Sequence, residues 1–169
     1  ALGVAGAADR ARELGAMMMV VHRWGGGTEQ HVADLAKALM RTGIEVLLTR
    51  VNPERPNWVV VEVAGAKTSP ALGAFDLGAA PDDYARLMRR LHVRHLHIQH
   101  LAGFPEATGE WLQQACTTAG VPYDVSLHDY MMICPRIFMV AQAGTYCGEP
   151  PLSQCEACIA TAGSPFGQP

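Results

Sequence analysis

Apolar positions recur along this chain in two rhythms. Met17 to Val21 form an unbroken apolar run, the pattern of a strand covered on both faces of a parallel sheet. Val32, Leu35, Ala36, Leu39 and Met40 then fall at helical spacing and make one stripe, with Gly43 placed as the residue just past the helix end. Between strand and helix stand Gly25, Gly26 and Gly27, with Thr28 set to cap the helix and Glu29 in its first turn. Ile44 to Val51 and Trp58 to Val63 predict two further strands; the short stretch 52–57 between them holds no crossover helix, so they pair as a hairpin. Residues 67–80 read as loop, with a short strand at Ala74 to Leu77. Pro81 opens a helix as its first residue, and Tyr84, Leu87, Met88 and Leu91 form its stripe. Val93 to His100 predict a strand. Pro105 and Glu106 open a helix that buries Trp111, Leu112, Ala115 and Cys116 and closes at Gly120. Val121 to Leu127 predict a last strand, ending at His128 and Asp129. Residues 1–15 predict a short helix with Arg10, Arg12 and Glu13 exposed.

Strands alternating with helices of this length predict an α/β fold, a Rossmann-like, mostly parallel sheet with flanking helices. The boundaries expected are an N-terminal extension over 1–16, the sheet domain over 17–130, and a Cys-rich C-terminal segment leading into a linker over 131–169. In such sheets ligands bind beyond the carboxyl ends of the strands. The Gly25–Gly27 loop, His100, and the His128–Asp129 pair fall there.

Composition narrows the classes. The 169 residues are 49% hydrophobic, enough for one well-filled domain. A formal net charge of −3, with no long basic run, argues against a nucleic-acid partner. The longest apolar runs are too short to span a bilayer, and charged residues among the opening alanines argue against a secretory signal. The expected location is cytoplasmic. The chain opens on Ala1 and closes on SPFGQP, a linker-like ending; the expectation is a piece of a longer protein.

Several candidates carry two readings each. The glycine turn is either a tight connection or a phosphate loop at a helix N-terminus. His95 and His97 alternate with Leu96 and Ile98 and so share one face of a strand, as hydrogen-bonded side chains. His22, at the end of the first strand, is either packing or part of the mouth. Arg86, Arg89, Arg90 and Arg94 are a solvated face or a patch for anionic lipid heads. Cys134, Cys147, Cys155 and Cys158 have the spacing C-x12-C-x7-C-x2-C in a Gly- and Pro-rich stretch with little core periodicity. Structural zinc held by four thiolates, free thiols and disulfides stay open as readings. Cys116 lies in a helix stripe as an ordinary small apolar residue.

The stretches VVHRWGGGTEQHVADLAKAL, VRHLHIQHLAGFP, GVPYDVSLHDYMMICPR and GTYCGEP, with the closing C-x-x-C, resemble the N-terminal domain of family 4 GT-B glycosyltransferases, bacterial enzymes that build surface polysaccharides. The resemblance runs from about Met17 to Cys158. It implies a retaining sugar transfer from a nucleotide-sugar donor, with no catalytic metal, to a glycan or lipid-linked acceptor. It also implies a C-terminal donor-binding domain as the partner, and work at the inner face of the membrane. Carried over residue by residue, Gly25, Gly26 and Gly27 reach donor phosphate or sugar and Thr28 and Glu29 support them. His128 contacts the donor sugar and Asp129 orients the acceptor side; His100 is the substrate-side candidate from its place at a predicted strand end, not from the resemblance. The family's donor-binding Arg/Lys and C-terminal glutamate pair have no match here, so the implied unit is half an enzyme. A reading from another class is a Rossmann-like binding module without catalysis; a third is a small metalloprotein centred on the cysteines.

Overall fold

The computed structural model describes residues 15–66, 71–130, 133–141 and 143–163. The helix expected over 1–15, part of the loop at 67–80 and the SPFGQP ending lie outside the described residues. The chain divides into two compact units, one ending at Ser126 and the other beginning at Leu127.

The first unit is an α/β layer structure. Its strands are β1 (Ala16–Val20), β2 (Glu45–Asn52), β3 (Arg55–Val63), β4 (Gly73–Asp76), β5 (Val93–Ile98) and β6 (Tyr123–Val125), and its helices are α1 (Gly26–Arg41), α2 (Asp82–Arg90) and α3 (Thr108–Ala119). They form one six-stranded sheet in the order β4-β3-β2-β1-β5-β6. The pairings β1–β2, β1–β5 and β5–β6 are parallel, while β2–β3 and β3–β4 are antiparallel. The hairpin read from the short 52–57 stretch is present and tighter than expected, because β3 begins at Arg55 and leaves only Pro53 and Glu54 at the turn.

β1 is central, as an apolar run requires. Met18 and Val20 join Leu47, Val59, Tyr84, Met88, Leu96, Trp111 and Leu112 in the core under α2 and α3. Met19 and Val21 face the other way, against Val32 and Ala36 of α1. Tyr84 ties the larger core together. Fully buried, it shares a 2.7 Å hydrogen bond with Thr49 Oγ1 and donates to Met18 Sδ at 2.9 Å. Phe75 meets its ring edge-on and Trp111 tilts against it, at centroid distances of 5.2 and 5.0 Å.

The helix ends follow local chemistry. At the end of α1, Gly43 takes φ +89°; its N–H reaches Met40 O and that of Ile44 reaches Leu39 O. These two bonds satisfy carbonyls that the helix leaves open. At the start, the expectation for Thr28 is corrected. The cap residue is Gly25, and Thr28 lies inside the first turn. Gly25 and Gly26 at φ +76° and +78° make the turn themselves, so the helix begins earlier than a Thr cap would allow. Pro81 is likewise the cap of α2 and not its first residue, and α3 begins at Thr108, after the Pro105–Ala107 turn. The last strand is shorter than expected. β6 covers only Tyr123–Val125, all exposed, so His128 and Asp129 lie past the strand end and not at it.

The second unit holds a small antiparallel bridge between Val140 and Tyr146 and a helix α4 (Leu152–Ala162) that the sequence pattern did not predict. No residue of α4 is buried, which is why no apolar stripe announces it. Ile137, Met139 and Glu149 all take positive φ here.

Candidate functional site

In a sheet of this order the strand sequence reverses between β1 and β5, since the chain runs outward from β1 through β2, β3 and β4 and then returns to β5. The crevice outside the carboxyl ends at such a switch is where α/β sheets bind ligands. Two loops border it here, residues 21–27 after β1 and 99–104 after β5.

The first loop is built from glycine and ring side chains. A Cβ added at Gly25, Gly26 or Gly27 would meet nothing within 4 Å, so the loop surface is open. No side chain of the N-cap bonds the first turn of α1. Glu29 reaches back instead: its Oε2 accepts the Gly25 N–H at 2.7 Å, and its Oε1 pairs with Arg50 Nη1 at 2.9 Å. Glu29 thereby pins the loop to β2 and holds its own charge against a largely buried guanidinium, while Gly26, Gly27 and Thr28 keep N–H groups that no helical carbonyl reaches.

His22 is buried at the base of this loop, and its Nδ1 accepts the Trp24 N–H at 3.2 Å. The Trp24 indole stacks on the His22 ring at 5.5 Å and is 59% exposed. His100, from the second loop, meets His22 edge to face and accepts the Ala102 N–H on Nδ1 at 2.9 Å. Gly103, at φ +77°, lies directly under Trp24: a Cβ there would come within 2.5 Å of the indole Cζ2. The structure therefore brings His100 and the glycine loop to one mouth, with His22 between them. Sequence reasoning missed Trp24 and Gly103. The signal available was the Trp-Gly junction itself, an exposed aromatic directly before a loop without side chains.

His128 is exposed and Asp129 half-buried, and both belong to the second unit.

A second polar group sits on the α1 side of the sheet. His95 and His97 lie in register with Met17 and Met19, and Asp124 pairs with His97 across β6. Asp124 Oδ1 lies 2.8 Å from His95 Nε2 and 3.2 Å from His97 Nδ1, while His97 Nε2 lies 2.7 Å from Ser126 Oγ. Burial pushes the His97 imidazole below the ordinary histidine range; the Asp124 carboxylate pulls against it, and the His95 and His31 rings push with it. Ser126, His97 and Asp124 stand in the order of a hydroxyl–imidazole–carboxylate relay. Asp124 is 55% exposed and divides one oxygen between two rings. The group clamps the edge strand β6 onto β5, as hydrogen-bonded histidines on one face should.

Among the described residues, Arg86 pairs with Asp83, and Arg89 donates to Thr118 O near the end of α3. At the opposite end of the sheet a cavity of about 380 Å³ lies among Met40, Gly43, Glu45 and Ala64, away from the carboxyl ends of the parallel strands.

In the second unit Cys134, Cys147, Cys155 and Cys158 are all free thiols, each half-buried, and all four line one cavity of about 50 Å³. Among the described residues, no group of three or more His, Cys, Asp or Glu side chains is arranged to hold a metal ion. Also among them, no helix is long and apolar enough to cross a membrane.

Comparison with protein families, with characterised proteins and with solved structures finds no match.

Proposed function

We propose that this chain is the acceptor-side half of a retaining glycosyltransferase, acting with a C-terminal donor-binding domain on a nucleotide sugar and a glycan or lipid-linked acceptor. The observation that carries the reading is the open glycine loop at the sheet's switch point, with helix N–H groups beneath it and the His22–Trp24–His100 cluster beside it. A diphosphate is suited to such a place: the N–H groups and the helix dipole favour negative charge, and only glycine lets phosphate oxygens approach the backbone. An exposed indole beside the loop offers an apolar face to a sugar ring. On this reading His128 serves the donor sugar and Asp129 the acceptor side, both by resemblance. The acceptor or its carrier brings the protein to a membrane surface, and Arg90 and Arg94, both exposed, suit anionic heads.

The test supplies a panel of nucleotide sugars and candidate acceptors to the full-length protein and, in parallel, to this chain alone. Transfer by the full-length protein and none by the chain supports the half-enzyme reading. Comparable transfer by both would replace it with a complete site inside these residues. Nucleotide binding without transfer by either would favour a binding module.

A further inference from the structure

We propose that Cys134, Cys147, Cys155 and Cys158 bind one zinc ion through four thiolates and that this ion fastens the second unit. The proposal stands apart from the sugar-transfer reading and would survive its failure.

Three segments bring the sulfurs to one place. Cys134 donates its N–H to Tyr130 O, Cys147 ends the small antiparallel bridge by donating its N–H to Met139 O, and Cys155 and Cys158 lie on α4. They line the same cavity, and none is spent in a disulfide. The cavity's volume is several times the roughly 10–15 Å³ that one water-sized sphere needs, so an ion has room.

As they stand, the four are not arranged to hold an ion, and binding has to draw the sulfurs inward. The bonds to be surrendered are weak. Cys155 donates to Pro150 O at 3.7 Å, and Cys158 accepts from Arg136 Nη1 at 3.4 Å. Thiols are poor hydrogen-bonding groups, whereas thiolates are strong zinc ligands. Arg136 need not leave. Four thiolates on a divalent ion carry a net charge of −2, and a guanidinium already touching one sulfur offsets part of it, as partners behind metal ligands do. Arg136 is also anchored, by a 2.9 Å bond to Val140 O.

Among the described residues of the second unit, only Met139 is buried. No residue of α4 is fully buried, and Ile133, Phe138, Tyr146 and Leu152 are exposed. Ile137, a β-branched residue at φ +61°, and Met139 at φ +52° sit in the loop between Cys134 and Cys147. Such conformations persist where surrounding bonds over-determine them. A closed tetrahedral site would supply that constraint, and with all four positions taken by protein it leaves none for water.

The experiment uses the whole chain purified without chelator. Elemental analysis should find one zinc per chain, and X-ray absorption at the zinc edge should show four sulfurs at about 2.3 Å. Cobalt replacing zinc should give thiolate charge-transfer bands and the intense visible bands of a tetrahedral site. Arg136→Gln should lower zinc affinity by about 10–100-fold, and Cys116→Ser should leave it unchanged. Zinc absent after purification and not taken up on addition would overturn the proposal. So would a zinc shell containing oxygen or nitrogen, or paired disulfides under non-reducing mass analysis. If single Cys→Ser variants fail to fold, the wild-type metal content and its absorption shell still decide.

Discussion

The His22 and His100 rings meet edge to face with their centroids 5.3 Å apart, and so join the loops that follow two strands adjacent in the sheet but remote in sequence. Nothing in the local pattern of either segment announces this contact. It arises because β1 and β5 are parallel and in register, so that their carboxyl ends open at the same level.

The same mouth depends on Gly103. Gly103→Ala should push the Trp24 indole away and cost about 1–2 kcal/mol from the positive φ alone. Tryptophan emission should shift on this substitution, and the shift should vanish in a Trp24→Phe background. An unchanged spectrum in the native background would show that Trp24 does not rest on Gly103.

At Gly26 a side chain meets open space, so the cost of substitution is conformational and not steric. Gly26→Val should lower stability by about 1–2 kcal/mol while reducing donor binding in the full-length protein at least tenfold. Isothermal titration with a nucleotide diphosphate distinguishes the two effects. Full retention of binding would make the loop a simple connection.

The Tyr84–Thr49 bond lies where water does not reach. Burial drives the Tyr84 hydroxyl well above the ordinary tyrosine range, with the Thr49 bond pulling the other way, so it remains a neutral donor. Tyr84→Phe leaves the Thr49 hydroxyl short of its partner and should cost about 1–3 kcal/mol in urea unfolding. Thr49→Val added to it should recover part of that loss. Strict additivity of the two changes would show that the groups are not coupled.

His97 ties stability to pH. Its native ring holds a proton less readily than the unfolded chain does, so on acidification the unfolded state protonates first. The contribution is complete above the unfolded value of 6.5 and is lost as pH falls through the lower folded value. The urea midpoint should therefore drop as pH falls below 6.5, and His97→Gln should flatten that drop. An identical slope in the variant would assign the dependence to other groups, with His95, His31 and Asp124 the nearest.

Burial also pushes the Cys116 thiol up to about 11. Maleimide at neutral pH should spare Cys116 in the native protein and label it after unfolding, as peptide mass analysis reads. Rapid native labelling would mean that α3 opens locally.

The parallel order, the hairpin and the double-faced core of β1 were legible because each rests on a strong local rule: an apolar run, a connection too short for a crossover, two helical stripes. Helix starts were less legible. Thr28 has the chemistry of a cap, but the glycines ahead of it were free to turn first. β6 was overestimated since Val121 and Leu127 extend its apolar run, whereas only Tyr123 to Val125 pair with β5. α4 was invisible because none of its residues is fully buried. Of the candidate mouth, the glycine loop and His100 were read from the ends of predicted strands, although β5 ends at Ile98 and His100 lies two residues past it. Trp24 and Gly103 were not, because their relationship exists only once β5 lies beside β1.

The position of β1 has a consequence for how the protein is made. Met18 lies beside Leu47 on one side and Leu96 on the other. A ribosome releases the first partner soon after β1 and the second only much later. Until β5 emerges, β1 has a free flank and Met18 and Val20 lack their core partners Leu96, Ile98, Trp111 and Leu112, in a nascent chain whose β2–β3 hairpin can already form from neighbouring residues. Long-range parallel pairing of this kind is slow and exposes apolar strands in the interval. Synthesis halted before Val93 should therefore leave a species that binds chaperones, and extension through Ala119 should release it.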